Sequence, residues 1–364
     1  MSPSLKRKIK KIIPFGLLWA YFGLMYVLLE KGILGDSSVY PSTQNVYNFG
    51  SAVVGIPIGS LIMGLVFGII EVFLIQKLFQ LKTFLQKIIF KTLFYIILLC
   101  VLIITQSLIV NSFVLGLPIT DPKVIESISV FFTSFAFVSV IFYAGSIIAI
   151  MMFIFEVSDN LGLHVVNNFI TGRYHKPREE NRIFMFLDMK SSTTIAEKIG
   201  HVKYFELLTK YYQDISKIIV RTSGEVYQYV GDEIIVSWSP KKGARNNNCL
   251  RCFFQTKEEF KRLSEKYIED FNLVPDFKAG IHYGKVTTGE IGTIKKEIVF
   301  TGDVLNTTSR IQNLCKQYGV DLLVSKDLIE MLDMTNEFEV NPIGEQELRG
   351  KNGKVQLFSI NPPQ

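Results

Sequence analysis

Two aspartates and, farther along, an asparagine–arginine pair are the residues in this 364-residue chain whose types and spacing suit chemistry. Asp188 closes a very apolar run, IFMFLD, and a carboxylate at the end of a buried strand is costly unless something pairs with it. Asp232 stands in VYQYVGDEIIVSW, where Gly-Asp-Glu separates two short apolar runs. If these runs lie beside the Asp188 strand, both carboxylates reach one sheet edge. Two aspartates with open coordination positions suit Mg²⁺, which binds through one or two carboxylates plus substrate phosphates. Phosphoryl chemistry with two metal ions follows from such a pair. The competing reading is structural, with Asp232 making the turn and Asp188 capping the next helix, and spacing leaves both open.

Two further stretches could complete such a site. MKSSTTIAEKIG follows the Asp188 strand, and backbone N–H groups with Ser/Thr hydroxyls at a helix start can hold phosphate or simply cap the helix. In FTGDVLNTTSRIQNL a glycine turn leads into a helix on which Asn306 and Arg310 stand four apart, on one face. An amide and a guanidinium so placed can orient a sugar and neutralise charge building on phosphorus, although a solvated polar face has the same pattern. The four cysteines form no disulfide framework. Cys249 and Cys252 make a CxxC on an apolar helical face with no second pair nearby, and they read as core thiols.

The elements that must position these residues come from two unlike parts. Hydrophobic residues make up 48% of the chain, with 29 phenylalanines, too apolar for one ordinary soluble domain. Residues 1–155 read as a membrane anchor of four transmembrane helices at roughly 12–29, 52–75, 92–114 and 129–155. Each has about the ~20 residues that a ~30 Å hydrocarbon core requires. SLKRKIKK precedes the first span, and Lys77, Lys82, Lys87 and Lys91 fall between the second and third, whereas the other two loops hold one lysine each. That asymmetry predicts cytoplasmic termini and a multi-pass protein of a bacterial plasma membrane. The net charge of +6 is therefore read as membrane orientation: a lipid bilayer is the expected partner, and nucleic acid is not. Gly55-xxx-Gly59 and Gly64-xxx-Gly68 allow close helix approach, within the chain or in a dimer, and Glu71 is read as an interfacial residue.

Residues 156–181, with Pro177, read as a linker, and 182–364 as a soluble domain. Its pattern predicts a strand at NRIFMFLDM, a helix at 203–222, a hairpin at 225–238 and a helix at 246–272. Strands at 276–284 and 295–301, a helix at 303–317, a strand at 320–324 and a β-rich segment at 337–360 follow. This order suggests an α+β ferredoxin-like fold after the α-helical anchor.

Over about 182–360 the chain resembles the catalytic domain of class III nucleotide cyclases, the adenylate and guanylate cyclases. The resemblance rests on FLDMKSST, YQYVGDEIIVSW, AGIHYGKVTTGEIG, FTGDVLNTTSRIQ and LRGKNGKVQLF, in the family's order and spacing. The membrane half is more loosely similar to the multi-span anchors of bacterial members. The resemblance implies a site formed head to tail between two catalytic domains of a homodimer, so that an isolated monomer is inactive. Asp188 and Asp232 would hold two Mg²⁺ (or Mn²⁺) ions, with the Met189 carbonyl as a further ligand. Asn306 would orient the ribose, Arg310 would stabilise the pentavalent phosphorus, and Lys351 would bind the triphosphate. The implied reaction converts a nucleoside triphosphate to its 3′,5′-cyclic nucleotide and pyrophosphate, for intracellular signalling.

Two departures qualify that picture. Where the family shows Gly-Phe-Thr, this chain has Lys190-Ser191-Ser192-Thr193, in which Thr193 could still donate a hydrogen bond to phosphate. At the base-reading positions stand Gln228 and Val299, in place of the lysine with aspartate or threonine of adenylate cyclases, or the glutamate with cysteine of guanylate cyclases. Glutamine both donates and accepts while valine does neither, so the usual code names neither purine. ATP is the expected substrate, with GTP, CTP or UTP as alternatives. A catalytically silent module for nucleotide sensing or dimerisation is the competing class. A diguanylate cyclase would need a Gly-Gly-Asp/Glu-Glu-Phe hairpin, which VGDEII is not.

Overall fold

The structure, a computed structural model, describes residues 2–40, 46–79, 81–334, 337–347 and 353–362. It divides into two compact units, Leu5–Asn167 and Asn168–Gln364.

The first unit is helical: α1 (Pro3–Leu34), α2 (Phe49–Ile70) with a π-helical turn at Glu71–Ile75, α3 (Gln76–Leu78), α4 (Phe84–Leu115), α5 (Pro122–Phe132) and α6 (Phe135–Leu161). Among the described residues, four helical spans are long and apolar enough to cross a membrane: Pro3–Leu34, Phe49–Leu78, Phe84–Phe113 and Phe135–Leu161. The last starts later than hydropathy suggested. Thr133 Oγ1 and Ser134 Oγ donate to the Ser129 and Phe131 carbonyls, at 2.8 and 2.6 Å, which ends α5 inside an apolar run. Gly64 and Gly68 seat α1 on α2: a Cβ on Gly64 would stand 2.6 Å from the Phe15 carbonyl oxygen. That glycine pair is therefore spent inside the unit, while Gly55 and Gly59 meet nothing within 4 Å.

Two charged residues lie elsewhere than expected. Glu71 is fully buried among helices and not interfacial, and Lys91, counted with the loop lysines, sits inside α4 at 1% exposure. Lys91 Nζ donates to Glu71 at 2.5 Å and to Glu156 of α6 at 2.6 Å, and Tyr95 Oη donates to Glu71 at 3.0 Å. Their partners lie 20 and 65 residues away in sequence, beyond the reach of a hydropathy window.

The second unit follows α7 (Leu163–Ile170) and begins with β1 (Arg178–Met189). Then come α8 (Ser192–Ile199), α9 (His201–Arg221), β2 (Glu225–Val230), β3 (Glu233–Trp238), α10 (Pro240–Ala244), α11 (Asn248–Arg262) and α12 (Ser264–Phe271). The unit continues with β4 (Phe277–Ile291), β5 (Glu297–Thr301), α13 (Asp303–Tyr318), β6 (Leu322–Ser325), α14 (Lys326–Ile329), β7 (Glu339–Glu347) and β8 (Lys354–Asn361). The strands form one sheet in the order β2-β3-β1-β4-β6-β8-β7, with β5 also on β4. The β2-β3-β1-β4 core, with its helices between β1 and β2 and between β3 and β4, is the ferredoxin-like arrangement expected.

β1 is central and buried on both faces, which is why IFMFL is apolar without alternation. Ile183, Met185 and Leu187 face the core beneath α9, α11 and α12, whereas Phe184 and Phe186 face the layer that holds Phe300 and Val304. β1 also starts before its apolar run, because Arg178–Asn181 pair with β4. The helix expected at 203–222 is present as α9, whereas the one expected at 246–272 is broken in two. α8 and α9 meet at Gly200, whose φ of +81° suits glycine, and α11 and α12 meet at Leu263.

Candidate active site

Alternation along β1 decides where Asp188 points: it shares the face of Phe184 and Phe186, the face on which α13 lies. β3 pairs beside β1 with Ile234 opposite Leu187, so the turn entering β3 arrives next to the end of β1. Val230 and Glu233 close the hairpin, leaving Gly231 and Asp232 as a two-residue turn in which Gly231 takes a φ of +62°. Tyr212 Oη, from α9, donates to the Gly231 carbonyl at 2.6 Å and anchors the turn. The result is that the Asp188 and Asp232 carboxyls come within hydrogen-bonding reach of each other.

The electrostatics of this pair are unbalanced. Lys278, opposite Asp188 on β4, brings Nζ to 3.5 Å from Asp188 Oδ2. Burial pushes the Asp188 carboxyl above its usual range; the neighbouring Asp232 pushes the same way, and Lys278 and Gln312 oppose it. Burial, then Asp188 and Asp232, push the nearby Glu233 up to about 7. Three carboxyl groups thus crowd one edge around one lysine; burial is the main cause of the raised values at Asp188 and Glu233, and the neighbouring carboxylates add to it. A hard divalent cation fits this donor set: two adjacent carboxylates with room for substrate oxygens. Among the described residues no three His, Cys, Asp or Glu side chains form a metal cluster, so the donor set offered here is the Asp188–Asp232 pair. Met189 has only its carbonyl to offer there, since its side chain is buried in the core beneath the sheet.

Asn306 and Arg310 lie on α13, one turn apart as expected; Asn306 is exposed and Arg310 half-buried, its Nη1 enclosed without a hydrogen-bond partner among the described residues. The buried face of α13 holds Val304, Thr307, Thr308, Ile311, Gln312 and Cys315. At roughly 100° per residue, Asn306 and Arg310 fall on the opposite side. Gln312, on the buried face, donates from Nε2 to Asp188 Oδ2 at 3.0 Å. Thus within one chain α13 touches Asp188 with one face and presents Asn306 and Arg310 from the other.

Thr193 is exposed in the first turn of α8, just past Ser191 at a φ of +57°. Lys190 is committed elsewhere, pairing with Asp276 and Asp321, which also hold Lys257. Gln228 is exposed on β2 beyond a bulge at Tyr227, and Val299 is half-buried on β5, paired with Gly289. Tyr227 and Phe300 pack edge to face at 4.9 Å, so Gln228 and Val299 each adjoin a residue of one contact. Lys351 lies outside the described residues. Cys249 and Cys252 are fully buried and their thiols pushed up to about 12 by burial, which makes them core groups. Sequence reasoning missed Lys278 and Gln312. Both are polar residues in otherwise ordinary amphipathic patterns, and only the pairing of β1 with β4 and the packing of α13 reveal what they touch.

Residues 174–362 match the family described as the adenylate and guanylate cyclase catalytic domain. The chain is 31% identical over 222 residues to adenylate cyclase 2 of Rhizobium meliloti, covering 61% of each protein. It is 24% identical over 182 residues to adenylate cyclase 1 of the same organism, covering 48% of this chain and 27% of that one. Among solved structures, the adenylyl cyclase CyaB from P. aeruginosa aligns with a TM-score of 0.46 at 18% identity, over 52% of this chain and 97% of that one. The matched segments span less than two thirds of those curated relatives.

Proposed function

We propose that this chain, which belongs to the family of adenylate and guanylate cyclase catalytic domains, cyclises ATP to 3′,5′-cyclic AMP and pyrophosphate at a site shared by two copies. The ribose 3′-oxygen forms a bond to the α-phosphorus, the bond from that phosphorus to the bridging β-oxygen breaks, and the hydroxyl proton is lost. Asp188, Asp232 and the Met189 carbonyl would hold two Mg²⁺ or Mn²⁺ ions, which when bound offset triphosphate charge and lower the pKa of the 3′-hydroxyl. Asn306 fixes the ribose and Arg310 meets the charge that builds on the phosphorus. Thr193 and the N–H groups opening α8 receive phosphate oxygens, with Lys351 on the triphosphate. Gln228 and Val299 line the base.

The observation that carries this reading is the pair of faces on α13. Asp188, held by Gln312 from the buried face, stands on the other side of the helix from Asn306 and Arg310. A second copy in head-to-tail arrangement supplies what one chain turns away, and two equivalent sites result. Support for ATP comes from the relatives named adenylate cyclase. The apolar spans anchor the enzyme in a membrane with both termini and the catalytic unit on the cytoplasmic side, where ATP is found.

The test uses full-length protein in detergent. Asp188→Ala and Arg310→Ala are each expected to be inactive alone, and mixing them should restore part of the activity, because one intact site forms per heterodimer. A mixture that stays inactive while heterodimers are shown to form refutes the shared site. Offering all four nucleoside triphosphates with Mn²⁺ then names the substrate. Cyclic GMP, or a cyclic pyrimidine nucleotide, as main product would overturn ATP, and no product at all would leave a silent module.

A further inference from the structure

Gln312 is a buried amide, 2% exposed, whose Nε2 donates to the carboxylate at the end of β1. Burial of an amide is unfavourable unless it is hydrogen-bonded, so the contact with Asp188 offsets the burial and at the same time fixes the carboxylate. The backbone beneath is built for this approach. Gly280 on β4 lies two residues from Lys278 on the same face, and a Cβ there would stand 2.5 Å from the Gln312 nitrogen and 2.8 Å from its Cα. With no side chain at Gly280, α13 sits directly on β4, close enough for the glutamine amide to reach across to β1. Gln312 and Lys278 both approach Asp188 at Oδ2, at 3.0 and 3.5 Å.

We propose that Gln312 is a positioning residue for the metal-binding carboxylate of its own chain, holding Asp188 by Oδ2 and so fixing its carboxylate beside Asp232. This rests on the reading of Asp188 and Asp232 as the cation site. A neutral donor suits the task. A lysine at this position would add a second cation against Asp188 and compete with the metal, and a glutamate would repel the carboxylate it must orient. Groups that orient metal ligands in this way are worth roughly 10- to 100-fold in metal affinity. The role is confined to one chain: Gln312 serves the Asp188 beside it, whereas Arg310, two residues earlier, serves the site across the dimer.

That asymmetry supplies the test. In a heterodimer of Arg310→Ala with Asp188→Ala, the one complete site takes its aspartates from the first chain. Gln312→Met, which preserves volume and removes the donor, is placed in either chain of the full-length protein. In the first chain it is expected to raise the Mn²⁺ concentration for half-maximal activity by about 10- to 100-fold. In the second, where Asp188 is already absent, it is expected to leave that concentration within about 2-fold. Equal shifts from both placements, or none from either, would sink the proposal in favour of plain packing. A parallel arm needs no turnover: Mn²⁺ titration of the homodimer, followed by electron paramagnetic resonance, should show weaker binding in Gln312→Met than in the unmodified protein. Unchanged Mn²⁺ affinity there overturns the positioning role. If the parent heterodimer is inactive, the shared-site reading has failed instead, and the titration still judges Gln312.

Discussion

Two clusters of acidic residues sit in the two units of this protein, and they are wired in opposite ways. In the helical unit, Glu71 and Glu156 close around Lys91, with Tyr95 on the free oxygen of Glu71 and Lys87 3.8 Å from Glu156. Two carboxylates meet two lysines, and their charges balance. In the second unit, Asp188, Asp232 and Glu233 crowd one sheet edge with Lys278 as the lysine in contact. A closed, neutral cluster locks helices together; an open one with surplus negative charge asks for a cation. Burial alone does not separate a structural charge from a functional one, whereas the local charge balance does.

The sharpest way to break this comparison is to remove one carboxylate from the open cluster. Asp232→Asn should lower cyclase activity by roughly 10²–10³-fold or more, without lowering the melting temperature of the metal-free protein, since it relieves like-charge crowding. Added Mn²⁺ should raise the melting temperature of the parent protein more than that of the variant; at about 100 times Kd the gain is about 2.7 kcal/mol. An active Asp232→Asn protein would show that the surplus charge serves no metal.

The closed cluster should respond in the reverse sense. Lys91→Met leaves two buried carboxylates without their shared cation and should cost about 3–5 kcal/mol, read from unfolding in mixed detergent micelles. Adding Glu71→Gln and Glu156→Gln to the same protein should recover most of that loss. If Lys91→Met alone is as stable as the parent, the cluster is not the lock described.

A third group of charges calibrates the other two. Lys190 and Lys257 share Asp276 and Asp321 at a partly exposed position, balanced in sign. Lys190→Met should change stability by no more than about 1 kcal/mol, and that small cost should shrink in high salt. A larger, salt-independent loss would mean that this network carries more than surface pairs do.

Much of this protein is legible in its residues because the signals are local. Runs of about twenty apolar residues mark the membrane-length helices. The Gly231-Asp232 turn marks the hairpin, and the four-residue step from Asn306 to Arg310 marks a shared helix face. Where the structure departs from these expectations, the deciding partner is distant in sequence or is a local hydroxyl. Lys91 reads as a loop lysine until Glu71 and Glu156 are seen on either side of it. Glu71 reads as interfacial for the same reason. Arg178–Asn181 look like linker until β4 pairs with them, and the end of α5 is written in two hydroxyls that hydropathy ignores.

Composition and periodicity by themselves determined that the chain has a membrane-length helical part and an α+β part, and which residues offer the chemistry. They did so because hydrophobic period, turn formation and helix face depend on neighbours within a few residues. Tertiary structure decided the rest. It brought Asp188 beside Asp232, set Lys278 and Gln312 on one oxygen of Asp188, and turned Asn306 and Arg310 to the opposite side of α13. Those outcomes depend on strand register and on how closely a helix can approach a sheet at Gly280, and long-range packing settles both.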